Sequence, residues 1–318
     1  MRFIGLIAAA AMAAGASASF DLMLVQAATA DAGGFYRVHR IDPENDVNLG
    51  SFQIGPQSMG LAASYARGEM YTLDINGNLR TWNYSTGTLK SIRNVGWSQV
   101  NDFALSANGN EIVSVHGNGE LRIFNLDTNA VNASALGVVL NKVSTLGSNA
   151  FIGYSTVGHS LRRMLRTGNS AAVTTSEAVN NAITPANVSS IGVLSSAPYH
   201  FIYTGNSAGS TVGFNYGASV SNDLLLVGSF TSSFTLQNSV NYFTKSHLGL
   251  YTIGADSNST GVRVNELDTA GYVIRTNVYS GIAGGARNAA IVLAPEPGSM
   301  IALGLGVAAL LSRRRRKK

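Results

Sequence analysis

The sequence predicts an all-β fold, with a β-propeller-like body of about six to seven blades of ~42 residues each. Two observations predict it: short strand-like runs separated by turn signals, and a repeat with a constant period. The composition agrees with this class. The chain has 318 residues, of which 45% are hydrophobic and only 12% charged, about half the charged share of an average soluble domain. This polar but weakly charged balance is typical of strand-rich extracellular proteins.

Strand-length apolar runs recur along the chain, for example at residues 68–74 and 111–116. Turn signals stand between such runs, among them Asn76-Gly77, Asn108-Gly109 and Asn118-Gly119. Asn-Gly adopts positive φ at low cost and is the strongest short hairpin signal. Helical periodicity is scarce in the same region, so the runs are predicted to form antiparallel hairpins.

The hairpins recur as a repeated unit. Residues 73–83 superimpose on residues 115–125 at an offset of 42, and residues 61–64 superimpose on 103–106 at the same offset. Residues 36–45 fit the same strand-then-turn slot about one period earlier. A later copy is predicted at residues 261–269, because its Leu-Asp-Thr repeats that of residues 126–128.

A unit of this length with internal hairpins indicates a four-stranded propeller blade. One such sheet alone leaves an apolar face bare, and radial stacking of several sheets buries it. The unit resembles WD40-like or quinoprotein-like blades, but lacks the Gly-His and Trp-Asp dipeptides of the standard WD40 repeat. Over residues 141–250 the period fades, and two interpretations remain open there: divergent blades or a separate β-sandwich.

The N-terminus has the pattern of a secretory signal peptide over residues 1–18. Arg2 precedes an apolar stretch of about a dozen residues, and Ala16-Ser17-Ala18 forms an Ala-x-Ala cleavage site for signal peptidase. We predict cleavage after Ala18. A second site, Ala28-Thr29-Ala30, is the alternative and would place the end of the signal at residue 30. The extracellular body is predicted at residues 31–294.

The C-terminus, residues 295–318, has the pattern of a sorting signal. Pro295-Glu296-Pro297 precedes an apolar segment, residues 300–311, that is predicted to be a short transmembrane helix. At 1.5 Å per residue this helix is about 18 Å long, shorter than the ~30 Å hydrocarbon core. The segment ends in a basic cluster that is predicted to stay cytoplasmic, so the helix is a transient anchor. The cluster consists of Arg313, Arg314, Arg315, Arg316, Lys317 and Lys318.

This arrangement resembles the PEP-CTERM sorting domain of Gram-negative bacteria. The resemblance implies that an exosortase recognises Pro295, Glu296 and Pro297. It also implies export across the inner membrane to the cell surface or beyond, in association with exopolysaccharide and biofilm matrix.

The basic charge of the chain belongs to these signals. The formal net charge is +5, but without Arg2, the six basic residues of the tail and Glu296, the chain has 15 basic and 16 acidic residues. A near-neutral body does not favour nucleic-acid binding. The chain has no cysteine, which excludes thiol catalysis and cysteine-ligated metals.

No residue is predicted to be catalytic, cofactor-binding or metal-binding, and no cofactor is predicted. The five histidines lack the spacing of a zinc site. The segments 74–78 and 256–261 look like the start of a calcium loop, but no acid follows at the required distance. We interpret the first as an Asn-Gly turn. No nucleophile elbow, carboxylate pair or phosphate-binding glycine loop stands in a convincing context.

Two further groups have structural interpretations. The aromatic residues of the repeats are predicted to pack between sheets rather than to stack on sugars; they are Trp82, Tyr84, Trp97, Phe124, Tyr199, Tyr203, Tyr216 and Tyr251. The basic run at residues 161–166 is predicted to be a solvated strand or turn.

The sequence therefore predicts an exported, non-enzymatic interaction module of the cell surface or extracellular matrix. Its expected partners are signal peptidase, the exosortase, and exopolysaccharide or matrix proteins. Two alternatives remain open: a secreted hydrolase or lyase acting on polysaccharide within a degenerate propeller, and a structural β-sandwich of the matrix.

Overall fold

The computed structural model describes residues 19–145, 149–158, 160–178, 188–196, 199–206, 210–217, 225–233, 237–243, 250–255, 261–267, 273–282 and 284–295. Within these residues the chain forms 24 strands and no helix. The strands make six antiparallel sheets of four strands each, which we call blades 1 to 6. The all-β prediction is confirmed.

Blades 1 to 3 contain the predicted repeat. Blade 1 consists of β1 (Ser19–Ala27), β2 (Tyr36–Asp42), β3 (Val47–Gly55) and the last strand of the chain, β24 (Ala286–Pro295). Blade 2 consists of β4 (Ser58–Ser64), β5 (Glu69–Asp74), β6 (Asn78–Asn83) and β7 (Leu89–Asn94). Blade 3 consists of β8 (Val100–Leu105), β9 (Glu111–His116), β10 (Glu120–Asn125) and β11 (Val131–Ala135).

Blades 4 to 6 cover the region where the period fades. Blade 4 consists of β12 (Lys142–Thr145), β13 (Ala150–Ser155), β14 (Ser160–Thr167) and β15 (Ser170–Ala178). Blade 5 consists of β16 (Val188–Ser196), β17 (Tyr199–Asn206), β18 (Ser210–Gly217) and β19 (Leu225–Ser233). Blade 6 consists of β20 (Gln237–Phe243), β21 (Leu250–Ala255), β22 (Gly261–Leu267) and β23 (Val273–Ser280).

The six blades close into a ring. The first strands of successive blades contact one another in the order β4, β8, β12, β16 and β20; β24 contacts both β20 and β4 and so completes the circle. Radial symmetry of this kind is the propeller arrangement. The divergent-blade interpretation of residues 141–250 is therefore confirmed, and the β-sandwich alternative is wrong.

The position of each strand in its blade determines its burial. The second strands lie between two neighbouring blades; all six residues of β9 and five of the six in β5 are buried. The fourth strands form the outer rim, and β7 has no buried residue. Strands covered on both faces need continuous apolar runs, which is why β5 and β9 were the clearest strand signals in the sequence.

Apolar clusters fill the spaces between blades. Between blades 1 and 2, Trp82 and Tyr84 pack with Leu22 and Leu24, and the Trp82 Nε1–H donates to the Thr72 hydroxyl at 2.9 Å. Between blades 2 and 3, Trp97 and Phe124 pack edge-to-face with ring centroids 6.3 Å apart; Tyr251 packs between blades 6 and 1. For these residues the prediction of packing between sheets is confirmed.

The first three blades share the chemistry of one turn. In blade 2 the Asn83 side-chain oxygen accepts from the backbone N–H groups of Ser85 and Thr86, and Gly87 follows at φ 73°. The equivalent turn of blade 3 uses Asn125 in the same way and ends at Asn129 with φ 62°. Blade 1 repeats the motif with Asp42. A short polar side chain that caps its own turn thus stands at the same position in three blades.

The strand spacing explains why the repeat fades. Ser58, Val100 and Lys142 begin the first strands of blades 2 to 4 at equal intervals along the chain. The first strands of blades 5 and 6, which begin at Val188 and Gln237, follow at wider and unequal intervals. Strands of up to nine residues account for this lengthening. A search at fixed period therefore fails there although the architecture continues.

The closing blade extends beyond the body predicted at residues 31–294. Strand β1 begins at Ser19 and pairs with β24 on one side and β2 on the other, and β24 ends at Pro295. Side chains of β1 alternate between two interfaces. Leu22 and Leu24 enter the cluster between blades 1 and 2, whereas Met23 and Val25 enter the cluster between blades 6 and 1.

We expect a chain of residues 19–295 to unfold in one cooperative transition and a chain of residues 31–295 to show none. Removal of β1 takes four buried side chains from two interfaces, each contributing about 1.5–3 kcal/mol, and leaves β24 without its ladder. Chemical denaturation followed by circular dichroism measures this. A cooperative transition in the shorter chain would contradict a closing role for β1.

A pair of point variants controls for the truncation. Leu24→Asp places a charge at a position with 0% exposure and should lower the free energy of unfolding by about 4 kcal/mol or more. Ile92→Asp makes the same kind of change on the outer strand β7, at 53% exposure, and should change it by about 0.5 kcal/mol or less.

Candidate functional site at the closing interface

The closing interface lies where blade 6 meets blade 1, the first and last sheets of the ring. Its core draws Tyr251, Ile253, Val262 and Val264 from blade 6 against the β1 and β24 side chains of blade 1. Two features of functional interest lie in this part of the molecule: the end of the ladder between β1 and β24, and a polar pocket.

The ladder ends at the two predicted processing sites. Ser19, the first residue after the predicted signal peptide, is the ladder partner of Pro295, the first residue of Pro-Glu-Pro. Glu296, Pro297, the predicted helix at 300–311 and the basic tail lie outside the described residues, as do Ala16 and Ala18. The described residues nearest to the two predicted cleavage sites therefore lie opposite each other at one end of one strand pair.

The pocket has a volume of about 440 Å³ and is lined by Glu44, Tyr251, Glu266, Ile274 and Arg275. Tyr251, Glu266 and Arg275 lie side by side on β21, β22 and β23, because the strand register pairs Tyr251 with Glu266 and Glu266 with Arg275. Glu44 comes from the turn between β2 and β3. The pocket therefore exists only when blade 6 is docked on blade 1.

Arg275 holds the two walls of the pocket together. Its Nη2 donates to Glu266 Oε2 at 2.8 Å within blade 6, and its Nη1 donates to the Glu44 backbone oxygen at 2.9 Å across the interface. Asn277 adds a longer contact from Nδ2 to the Pro43 backbone oxygen at 3.5 Å. Since both terminal nitrogens already have acceptors, Arg275 acts as a clamp between the blades.

Tyr251 forms the buried wall of the pocket, with 1% of its surface exposed. Burial raises the pKa of its hydroxyl, and the nearby charges of Glu266 and Asp21 act in the same direction. The hydroxyl lies near the Arg275 guanidinium, yet among the described residues it makes no hydrogen bond of ordinary geometry. A buried hydroxyl without a partner is costly in a folded protein, so this group is a candidate for ligand contact.

The predicted turn at residues 74–78 is confirmed. Asp74 Oδ1 accepts from the backbone N–H groups of Asn76 and Asn78, and Oδ2 accepts from Arg80 Nη1 at 2.6 Å. Both carboxylate oxygens of Asp74 thus have protein donors.

The described residues contain no group of three or more potential metal-ligating side chains. Most of the second calcium-like segment, at 256–260, lies outside the part of the chain that the structure describes.

The described histidine side chains are structural. His116 lies at 1% exposure, with Nε2 2.9 Å from the Ser114 hydroxyl and Nδ1 2.8 Å from the Ser98 backbone oxygen. This serine–histidine pair is enclosed between blades 2 and 3 and is closed to a substrate. His39 is buried in β2, opposite Val25 of β1. His159 and His247 lie outside the described residues, and His200 lies in β17.

The basic run at residues 161–166 forms part of strand β14, which is one of the two structures predicted for it, a strand or a turn. Arg166 is not simply solvated, however. It forms an ion pair with Glu111 of blade 3, and the two side chains are only 15% and 6% exposed. The run therefore contributes a contact between blades 3 and 4.

Sequence reasoning missed the pocket entirely. Its residues lie at positions 44, 251, 266, 274 and 275, and no local motif connects them. Only the register of three consecutive strands, together with closure of the ring, brings them to one place.

No helix among the described residues is long and apolar enough to cross a membrane. The predicted anchor at 300–311 lies outside the described residues.

Comparison with known proteins supports the sorting signal. The PEP-CTERM protein-sorting motif matches residues 293–317. The match begins two residues before Pro295, so the first three residues of the motif belong to β24 and pair with β1. The motif indicates an exported protein that an exosortase processes and sorts to the cell surface in Gram-negative bacteria. No curated protein matches the sequence.

Solved structures support the fold. A functionally unknown protein from Desulfotomaculum acetoxidans DSM 771 aligns with a TM-score of 0.58 at 14% identity, over 85% of this chain and 88% of that one. A protein of unknown function from Bacteroides caccae aligns with a TM-score of 0.62 at 11% identity, over 86% and 99%. The Cps50 (Swd1) β-propeller domain of Myceliophteria thermophila aligns with a TM-score of 0.52 at 11% identity, over 80% and 85%. At these identities the likeness concerns the fold alone.

We expect the protein to lose stability as the pH falls from 6.5 towards 4, in part through His39. Burial, assisted by the charge of Arg37, lowers the pKa of His39 from 6.5 to about 4. Between pH 6.5 and pH 4 the unfolded chain therefore binds a proton at His39 that the folded chain does not bind. The contribution of His39 to the free energy of unfolding is complete only above pH 6.5. Its loss amounts to about 2–3 kcal/mol, since one pKa unit corresponds to about 1.4 kcal/mol.

The measurement is the free energy of unfolding at pH 7 and pH 4.5 for the wild type and for His39→Gln. The variant should lose less stability between the two pH values than the wild type does. Equal losses would show that His39 is protonated as easily in the folded chain as in the unfolded one.

Proposed function

We propose that this chain is a secreted, non-enzymatic binding protein of the cell surface or extracellular matrix, delivered as a closed propeller. The observation that carries the proposal is the position of the sorting motif, which begins inside the closing strand β24 and continues from its last residue. Glu296 directly follows Pro295, the last described residue of β24, in the sequence. An exosortase can act there without opening the ring.

The chemistry of the tail supports a transient anchor. Twelve apolar residues, 300–311, make a helix of about 18 Å, which is short for a bilayer core of ~30 Å. The six basic residues that follow are held on the cytoplasmic side. Proline on both sides of Glu296 favours an extended backbone accessible to a processing enzyme. After cleavage at this motif the body leaves the membrane with all 24 strands intact.

The body supports a binding role. Its blades are joined by buried clusters and by side-chain contacts between neighbours, so the surface is presented on a rigid ring. The polar groups of the pocket are held in place by the Arg275 clamp. A preformed polar pocket in a rigid body suits recognition of an exopolysaccharide or matrix partner.

We expect Glu296→Ala to leave an uncleaved, membrane-retained chain, because processing requires recognition of Pro-Glu-Pro. Intact-mass analysis of membrane and released fractions measures this. Glu120→Ala, which changes an acid of blade 3 paired with Arg122, should mature normally and is the matched control. Normal maturation of Glu296→Ala would refute processing at this motif.

One observation favours a second function, a polysaccharide-active hydrolase: two glutamates, Glu44 and Glu266, line the same pocket. Paired carboxylates can act as general acid and as base or nucleophile in glycoside hydrolysis. Incubation of the exported protein with extracted matrix polysaccharide decides between the two functions. Release of reducing ends that is lost in both Glu44→Gln and Glu266→Gln would establish the hydrolase. Retention of polysaccharide without cleavage is what the binding function predicts.

A further inference from the structure

We propose that the pocket between blades 6 and 1 binds an uncharged sugar ring, as one unit of a neutral polysaccharide. The inference rests on the proposed binding function and names its site and ligand class. Three observations carry it: the charge arrangement of the walls, the buried Tyr251 hydroxyl, and the exposed apolar side chain at the rim.

The charges of the pocket select against ionic ligands of either sign. Glu266 and Arg275 form an ion pair inside it, with Nη2 and Oε2 2.8 Å apart. A carboxylate or phosphate would lie against Glu44 and Glu266, and each terminal nitrogen of Arg275 already donates to a protein oxygen. An ammonium group would approach the Arg275 guanidinium, and the Glu266 carboxylate that could receive it is already paired with Arg275. A neutral ligand meets no like charge at either wall.

The polar atoms of the pocket require a ligand that both donates and accepts hydrogen bonds. The Tyr251 hydroxyl is buried with its residue and has no partner of ordinary geometry among the described residues. Arg275 engages Oε2 of Glu266, so that Oε1 of the same pocket-lining residue is the second oxygen that can accept a hydrogen bond. A sugar hydroxyl donates to a carboxylate, and a neighbouring hydroxyl pairs with the phenol. A polyol satisfies both groups at once.

The rim supplies the apolar contact that a sugar ring needs. Ile274, the residue before Arg275, lines the pocket and is 63% exposed. The C–H face of a pyranose can cover this side chain while the ring hydroxyls point inward. A volume of about 440 Å³ lies within the range of small-ligand pockets and accommodates one sugar unit.

Blade 2 offers a built-in comparison. Tyr71 is a buried tyrosine of the second strand, like Tyr251, but its hydroxyl donates to Glu69 Oε2 at 2.7 Å. The Tyr71 hydroxyl thus has a protein acceptor, whereas the Tyr251 hydroxyl has only the Arg275 guanidinium nearby, which cannot accept its proton. Loss of the two hydroxyl groups should therefore have opposite consequences for stability.

The test uses the protein purified after export and the methyl glycosides of glucose, galactose and mannose as probes, with glucosamine and glucuronate as charged competitors. Ligand-observed NMR should detect at least one neutral glycoside, with a Kd on the order of 1 mM for a ligand of about a dozen non-hydrogen atoms. Glucosamine and glucuronate should bind at least fivefold more weakly. Preference for either charged sugar, or no binding of any neutral one, would overturn the proposal.

The variant Tyr251→Phe tests whether the Tyr251 hydroxyl contacts the ligand or only affects the stability of the fold. It should weaken glycoside binding about tenfold and raise the Tm of the free protein, because it removes a buried hydroxyl without a partner. Tyr71→Phe should leave binding unchanged and lower the Tm. Binding by Tyr251→Phe equal to that of the wild type would overturn the site.

Retention on extracted matrix polysaccharide distinguishes failure of the site from failure of the function. Retention of the wild type and loss of retention in Tyr251→Phe support the pocket. Equal retention of both proteins overturns the pocket but leaves the binding function standing. If neither protein is retained, both the pocket and the proposed polysaccharide binding are refuted.

Discussion

The ladder between β1 and β24 is the interaction on which the rest of the structure depends. A ring of sheets made from one chain must be joined somewhere, and here the first and last strands of the body are neighbours in blade 1. The alternation of β1 adds a second constraint. The side chains of residues 22–25, each no more than 3% exposed, enter the interface with blade 2 and the interface with blade 6 in turn. One strand thereby holds blade 6 and blade 2 to the blade between them.

Arginine side chains reinforce the joints between blades. Arg40 donates to the Ser85 backbone oxygen of blade 2, Arg67 bonds Asp127 of blade 3 at 2.7 Å, and Arg93 reaches Asn129 of the same blade. Arg166 and Arg275 do the same between blades 3 and 4 and between blades 6 and 1. A body with few charges thus uses several of them across interfaces. These basic residues of the body hold neighbouring blades together, whereas those of the tail belong to the sorting signal.

Much of the fold could be predicted from the sequence, because it depends on local rules. Asn83 and Asn125 occupy equivalent turns, and the strands that end at them, β6 and β10, have the same burial class at five of six positions. Blades 4 to 6 obey the same architecture with longer strands, which a fixed period does not detect. Strand β1 was missed for another reason: it directly follows an apolar signal peptide and precedes a second Ala-x-Ala site. Its partner β24 lies at the opposite end of the body, beyond the reach of any local pattern.

The pocket depends on the same long-range closure. Glu44 and Arg275 are neighbours only because the ends of the chain meet, and the row formed by Tyr251, Glu266 and Arg275 is set by strand register. Turn residues and apolar runs specify the blades, whereas register and closure specify the site. The sorting motif is the exception among the functional features, since its residues are contiguous and could be recognised directly.

Hydrogen exchange measured by mass spectrometry tests the central claim most directly. Chain ends normally exchange fast, because they open locally at little cost in free energy. If β1 and β24 close the ring, their amides should exchange as slowly as those of the buried strands β5 and β9, through global unfolding. Exchange of residues 19–27 and 286–295 as fast as that of the outer strands β7 and β11 would contradict closure by this ladder.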